Sequence, residues 1–289
     1  GLVMRSMDSE LDPNPAVTIF GKEISMPVLV APVGGVILNS KVPGDPATVE
    51  MDYNESVTKG AFDAGTLCFT GDGGMEYMFE SGIVASKKRE ETVIPTIKPR
   101  SNDQIIEKIK IAEQAHAFAV ASDIDAATLI NMHIFGQPVG PKSASDIAEL
   151  VKATSLPFIV KGIMSPEEAI ACADAGAKGI VVSNHGGRIL DGMVGTADVL
   201  PEIAKAVKGR LTIFVDGGVR HGEDVLKMLA LGADAVLIGR PIAIAAIGGQ
   251  AEAVKLLLDA LKRELMDAMM ITGVHDLSNV SPDILRRLK

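Results

Sequence analysis

Three short motifs hold most of the side chains able to do chemistry: Ser183-Asn184-His185-Gly186-Gly187-Arg188, Asp216-Gly217-Gly218-Val219-Arg220 and Gly239-Arg240-Pro241. The imidazole of His185 can take a proton from a hydroxyl near neutral pH, and Arg188, three residues on, can hold a carboxylate in a bidentate fork. Paired glycines let backbone N–H groups turn toward an anion, and Arg220 and Arg240 can add guanidinium contacts, a combination suited to phosphate. Lys161 closes the apolar run Phe158-Ile159-Val160 and so needs an anion or an electron-rich partner, although a lysine of depressed pKa could instead form a Schiff base. Asp123 ends another apolar run and could stabilise the imidazolium formed on His185. A base, a carboxylate clamp and a phosphate seat together point to an enzyme with a phosphorylated cofactor.

Each motif follows a short apolar run, GIVV, LTIFV or AVLI, as a parallel strand buried on both faces requires. An amphipathic helix, a glycine stop and such a run recur along the chain, which is the pattern of parallel βαβ units. Eight strands are expected at about 27–32, 66–71, 92–97, 117–122, 158–163, 179–184, 211–216 and 235–239. Their number and the chain length predict an α/β fold, a single (β/α)8 TIM barrel over residues 1–289. Active sites in such barrels lie where the strands end, with phosphate seats after strands seven and eight. No G-x-G-x-x-G follows the first strand, which argues against an open dinucleotide-binding sheet. Residues 124–142 read as a short helix with a lid loop. Residues 252–271 place Val254, Leu257, Leu258, Leu261 and Leu265 on one helix face as the last packing element.

The net charge of −9 and an aromatic content of 3% with no tryptophan argue against a nucleic-acid partner, which needs a basic face and stacking rings. Cys68 and Cys172 have neither metal-ligand nor disulfide spacing and are expected to be small buried hydrophobes in a reducing cytoplasm. No signal peptide and no uninterrupted apolar run of about 18 residues is visible, so no membrane partner is expected. The chain opens on Gly1, and a missing N-terminal segment is expected.

The motifs VKGI, SNHGGR, DGGVR and GRP, in this order, resemble the FMN-dependent α-hydroxy-acid oxidase and dehydrogenase family, which includes glycolate and lactate oxidases. The resemblance is close over residues 157–273; the first half follows in outline through Pro27 to Pro32 and Leu67 to Gly71. It implies FMN as cofactor, a homo-oligomer (tetramer or octamer), and oxidation of a small 2-hydroxy acid to a 2-oxo acid by hydride transfer to flavin N5. It makes His185 the base, Arg188 the carboxylate clamp and Asp123 the partner of His185. Lys161 would lie at the flavin's N1/O2 edge and Ser183 against the ring system. Asp216, Gly217, Gly218, Arg220, Gly239 and Arg240 would hold the ribityl phosphate, and Pro32, Val33, Gly34 and Thr70 would line the flavin.

The chain also departs from the family. Relatives carry a glutamine and a tyrosine after strand three, where this chain has Pro95-Thr96-Ile97-Lys98-Pro99, so Lys98 is expected at the substrate. No arginine occurs in residues 121–142, where relatives place a second one, and the two tyrosines, Tyr53 and Tyr77, lie elsewhere. These departures keep two alternatives open: an FMN barrel acting on another substrate, such as a prenyl diphosphate isomerase, and a non-catalytic phosphate-binding barrel.

Overall fold

The computed structural model describes residues 1–8, 12–278 and 280–286. A hairpin of β1 (Val17–Ile19) and β2 (Lys22–Ile24) precedes eight further strands: β3 (Val28–Val30), β4 (Cys68–Thr70), β5 (Val93–Ile97), β6 (Val120–Asp123), β7 (Phe158–Ile163), β8 (Gly179–Val182), β9 (Thr212–Val215) and β10 (Ala235–Ile238). Between and after them run α1 (Val36–Ser40), α2 (Pro46–Asp63), α3 (Glu76–Lys88), α4 (Asn102–Gln114), α5 (Ile130–Ile134), α6 (Ala144–Lys152), α7 (Pro166–Asp174), α8 (Thr196–Val207), α9 (Gly222–Ala230) and α10 (Arg240–Thr272). The eight strands close in the order β10-β3-β4-β5-β6-β7-β8-β9, and every pairing is parallel. This is a (β/α)8 TIM barrel.

Side chains alternate across a strand, so one set fills the barrel and the other meets the helices. Leu29, Leu67, Phe69, Ile94, Ile159, Val181, Phe214 and Leu237 form the inner core. Val28, Val30, Cys68, Val160, Val182 and Val236 join the helices in the outer one. Both strand faces are therefore dry, which is why the strands read as unbroken apolar runs.

The β1–β2 hairpin was not expected, because each strand buries only its last residue, Ile19 or Ile24, and so shows no apolar run. Its two-residue turn puts Phe20 and Gly21 at φ 47° and 85°, the mirror-image turn whose twist matches that of the strands. Ile19 and Ile24 enter the inner core, and the Phe20 ring lies 6.1 Å from Phe118 and 6.2 Å from Phe214. Phe20 also sits against Gly179, the first residue of β8, where a Cβ would come within 3.2 Å of the ring. The hairpin thus closes the end where strands begin and leaves the opposite end for chemistry.

The last helix starts earlier than expected, at Arg240, and its backbone breaks at Gly249 and Gln250 (φ −158° and 55°). By length and composition alone it is apolar enough to cross a bilayer, which the sequence reading did not anticipate. In the fold its buried residues Ile242, Val254, Leu258, Leu261, Leu265 and Met269 pack in the outer core, and the helix lies against α2 and α9. Residues 124–142 form a 3-10 turn (Ile124–Thr128), α5 and a loop over the barrel mouth.

Candidate active site at the barrel mouth

The ends of β3 to β10 surround one cavity. Pro32, Val33, Gly34, Lys98, Asp123, Lys161, His185, Arg188, Asp216, Gly217, Gly218, Arg220, Gly239 and Arg240 all line it. Two expected lining residues do not. Ser183 is fully buried and works from behind: its Oγ accepts a 2.8 Å hydrogen bond from Lys161 Nζ and donates a 2.9 Å bond to Asp216 Oδ2. Thr70 is buried with its hydroxyl side against Gly82 of α3, where a Cβ would have no room.

His185 and the glycines after it depend on one another. His185, Gly186 and Gly187 have φ values of 56°, 67° and 78°, three successive left-handed residues that only a glycine-rich loop tolerates. The His185 N–H is satisfied by Ser183 Oγ at 3.1 Å. The ring meets a carboxylate, but not that of Asp123: His185 Nδ1 lies 3.0 Å from Asp125 Oδ2, and both side chains are 12% exposed. Asp123 is instead held by Lys98 in a buried ion pair. The expectation for Asp123 fails because residue 123 still belongs to β6, whereas Asp125 lies in the 3-10 turn that follows, and that turn swings its side chain across to β8. The second carboxylate, two residues beyond the strand end, was the available signal. Gly162 (φ 100°) makes the arrangement possible, since a Cβ there would lie 2.5 Å from Asp125 Cβ; it also marks a register shift in the β7–β8 pairing.

Electrostatics set the protonation states. Burial and the ammonium groups of Lys161 and Lys98 hold the His185 pKa below its ordinary value, against the pull of Asp125. Burial alone would raise Asp125, but the hydrogen bond to His185 and the two lysine charges bring it below the usual carboxylate range. Lys161 is opposed by its burial, yet Asp216, Asp125 and Asp123 keep it above the ordinary lysine value and hence charged. The outcome is a neutral imidazole beside an ionised aspartate. Donor atoms of Asp123, Asp125 and His185 fall within 4.8 Å of one another, but the two flanking ammonium groups disfavour a divalent ion there.

The rim across the mouth is cationic. Gly217 and Gly218 adopt φ 104° and 78°, and a Cβ on Gly217 would lie 2.9 Å from Thr196 Oγ1, which donates to the Asp216 carbonyl at 2.6 Å. Gly239 precedes Arg240 at the start of α10, so the first N–H groups of that helix face the same cavity as the glycine loop. Arg188, Arg220 and Arg240 are exposed on this rim, and none forms an ion pair among the described residues.

The loops after β3, β4 and β5 are locked together by residues the sequence reading passed over. Gly34 and Gly71 meet backbone to backbone, where a Cβ on Gly71 would lie 2.6 Å from the Gly34 nitrogen. Asp72, which lines the cavity, forms a buried ion pair with Arg100 and accepts from the Lys98 and Gly73 N–H groups at 3.0 and 2.8 Å. Arg100 Nη2 also donates to the Gly73 carbonyl at 2.7 Å. Glu50 of α2 accepts from the Gly35 and Val36 N–H groups at 3.0 and 2.9 Å, fixing the start of α1. Tyr53 and Tyr77 lie on α2 and α3, and neither lines the cavity.

Residues 83–287 match the family model described as FMN-dependent dehydrogenase. The chain belongs to that family. Among its relatives, the L-lactate dehydrogenase of Caulobacter vibrioides (strain NA1000 / CB15N) is 50% identical over 141 residues, 49% of this chain and 37% of that protein. The matched stretch thus spans little more than a third of such relatives. The 2-hydroxyacid oxidase of Dictyostelium discoideum is 33% identical over 98% of this chain and 79% of its own length. A solved mandelate oxidase with benzoyl-formic acid superposes with a TM-score of 0.78 at 29% identity, covering 97% of this chain and 84% of that one. A mandelate oxidase mutant with the monooxide FMN adduct gives 0.77 at 30%, covering 97% and 86%.

The cavity of this family member fits a flavin mononucleotide on three counts. The glycine loop, the start of α10 and the arginines of its rim offer donors for a phosphate. Thr96 Oγ1, Asp123 Oδ1 and Asp216 Oδ1 are buried polar atoms without a protein partner, and all three residues line the cavity. Close backbone contact at Gly34 and Gly71 leaves a side-chain-free wall for a flat ring.

Proposed function

We propose that this chain binds FMN at the barrel mouth and oxidises a small 2-hydroxy acid to the 2-oxo acid. The observation that carries the reading is the His185–Asp125 pair opening on the same cavity as Arg188 and the glycine–arginine rim. Bound FMN would supply the two-electron acceptor for the substrate's α-carbon. Arg188 has no carboxylate partner among the described residues and would take the substrate carboxylate, orienting the α-carbon. His185, neutral at its lowered pKa, would accept the hydroxyl proton at Nε2 while Nδ1 stays bonded to Asp125. The Asp125 carboxylate would hold the ring orientation and balance the imidazolium charge as it forms. Lys161 and Lys98 oppose that charge, so the proton is held loosely and can be returned after turnover.

The names of the relatives, which concern lactate, 2-hydroxy acids and mandelate, support this substrate class. The test is the visible spectrum of the desalted protein, followed by anaerobic mixing with lactate, glycolate and mandelate. Retained yellow absorption that bleaches with at least one acid is expected. A colourless protein that takes up no FMN, or a flavin that none of the acids reduces, overturns the reading. We also infer a homo-oligomer, on the family resemblance alone, for which light scattering is the check.

A further inference from the structure

Lys98, Asp123 and Lys161 form a row across three neighbouring strands. Lys98 follows the last residue of β5, Asp123 ends β6, and Asp123 is the register partner of Lys161 in β7, while Ile97 pairs with Ser122 one step earlier. The three side chains are therefore level at the cavity floor, and all three residues are buried and line it. Each keeps hydrogen-bonding capacity. Lys98 gives one of its three donors to Asp123 Oδ2. Lys161 gives one to Ser183 and lies 3.5 Å from Asp216. Asp123 Oδ1 has no partner. Buried polar groups rarely remain unpaired, so the occupant of this floor must present matching atoms.

Charge narrows the choice further. Lys98 is paired with Asp123 and Lys161 faces Asp216, so the row is close to neutral and makes a poor seat for a phosphate or a carboxylate. The exposed arginines of the rim suit an anion better. The row calls for a neutral planar edge reading acceptor, donor, acceptor.

We propose that the Lys98–Asp123 ion pair, together with Lys161, reads the pyrimidinedione edge of the flavin, with the Asp123 carboxylate taking the ring N3–H and the two ammonium groups taking the carbonyls on either side. This rests on the FMN reading above and reassigns Lys98 from the substrate to the cofactor. It also gives Asp123 a role in place of the one the structure denies it at His185.

Apoprotein prepared from the holoenzyme would be titrated with FMN and with N3-methyl-FMN, which cannot donate at that position, while flavin fluorescence is followed. Wild type should bind the methylated flavin about 10- to 100-fold more weakly, the range for losing a hydrogen bond to a charged partner. A Lys98→Met/Asp123→Leu double variant removes both charges, leaves no buried ion alone, and should bind the two flavins equally. A wild type that does not distinguish them overturns the proposal, as does a double variant that keeps the preference. Failure of wild type to bind either flavin would instead overturn the FMN reading, and this proposal with it.

Discussion

Replacing Asp125 by Asn separates a positioned base from a histidine that merely packs in the barrel mouth. The substitution keeps the shape of the side chain and removes its charge. The pair it disrupts is 3.0 Å long, and both side chains are 12% exposed, so solvent screens it little. A hydrogen bond to a charged partner in such a setting is worth about 1.5–3 kcal/mol, which corresponds to roughly 10- to 150-fold in the rate of proton removal. The pH profile adds a sign. Asp125 is one of the groups that raise the His185 pKa, while burial, Lys161 and Lys98 lower it below its ordinary value. Without Asp125 the pKa falls further, so the acid limb of the rate profile should move to lower pH while the plateau drops. Anaerobic stopped-flow bleaching of the holoenzyme at saturating FMN measures both quantities. A plateau at the wild-type level, or a lowered plateau with an unmoved acid limb, would refute the assignment of Asp125 as the residue that orients and charges the base.

Three further outcomes follow from the geometry. Arg188→Met should weaken binding of a 2-oxo acid product by about 10- to 100-fold with flavin content unchanged, as measured by perturbation of the flavin spectrum, because a charge-assisted contact is lost. Asp72→Ala strands the buried Arg100 guanidinium and should cost about 3–5 kcal/mol in urea unfolding; a loss below about 1 kcal/mol would mean the loop clamp is dispensable. His185 has a folded pKa below its unfolded value, so the unfolded chain binds the extra proton first: stability is fully present above pH 6.5 and is lost as pH falls through the window beneath it. His185→Phe should flatten that slope in urea midpoints taken at stepped pH, and an unchanged slope would place its origin elsewhere.

The barrel was legible because both faces of its strands are buried, so most of them appear as short apolar runs such as VLV, GIVV, TIFV and AVLI. The glycine turn at the rim was legible for a related reason: left-handed turns demand glycine, and Gly217 and Gly218 are spaced as such a turn requires. The hairpin strands bury only Ile19 and Ile24 beside exposed polar residues, so they show no apolar run and the plug of the barrel was missed. Side-chain direction was the other blind spot. Asp123 and Asp125 are equally plausible partners for His185 on spacing alone. Only the 3-10 turn after β6, and the room left by Gly162, decide which of them crosses to β8. Asp72 and Arg100 were unreadable because an ion pair 28 residues apart has no local pattern.

The exchange of roles between the two aspartates follows from the placement of the lysines. A carboxylate ending β6 on the cavity floor would be an isolated buried charge unless a cation met it, and Lys98, one residue past β5, is the cation within reach. Asp125, one turn higher, lies beside Lys161 as well as His185, and so stays ionised without losing the ring. Exchanging either lysine for a neutral residue would then do more than remove one contact. It would also raise the His185 pKa, because a charge that opposes the imidazolium has gone. The two acid–base pairs at the end of β6 are thus coupled, and the departure at Lys98 extends from the cavity floor to the protonation state of His185.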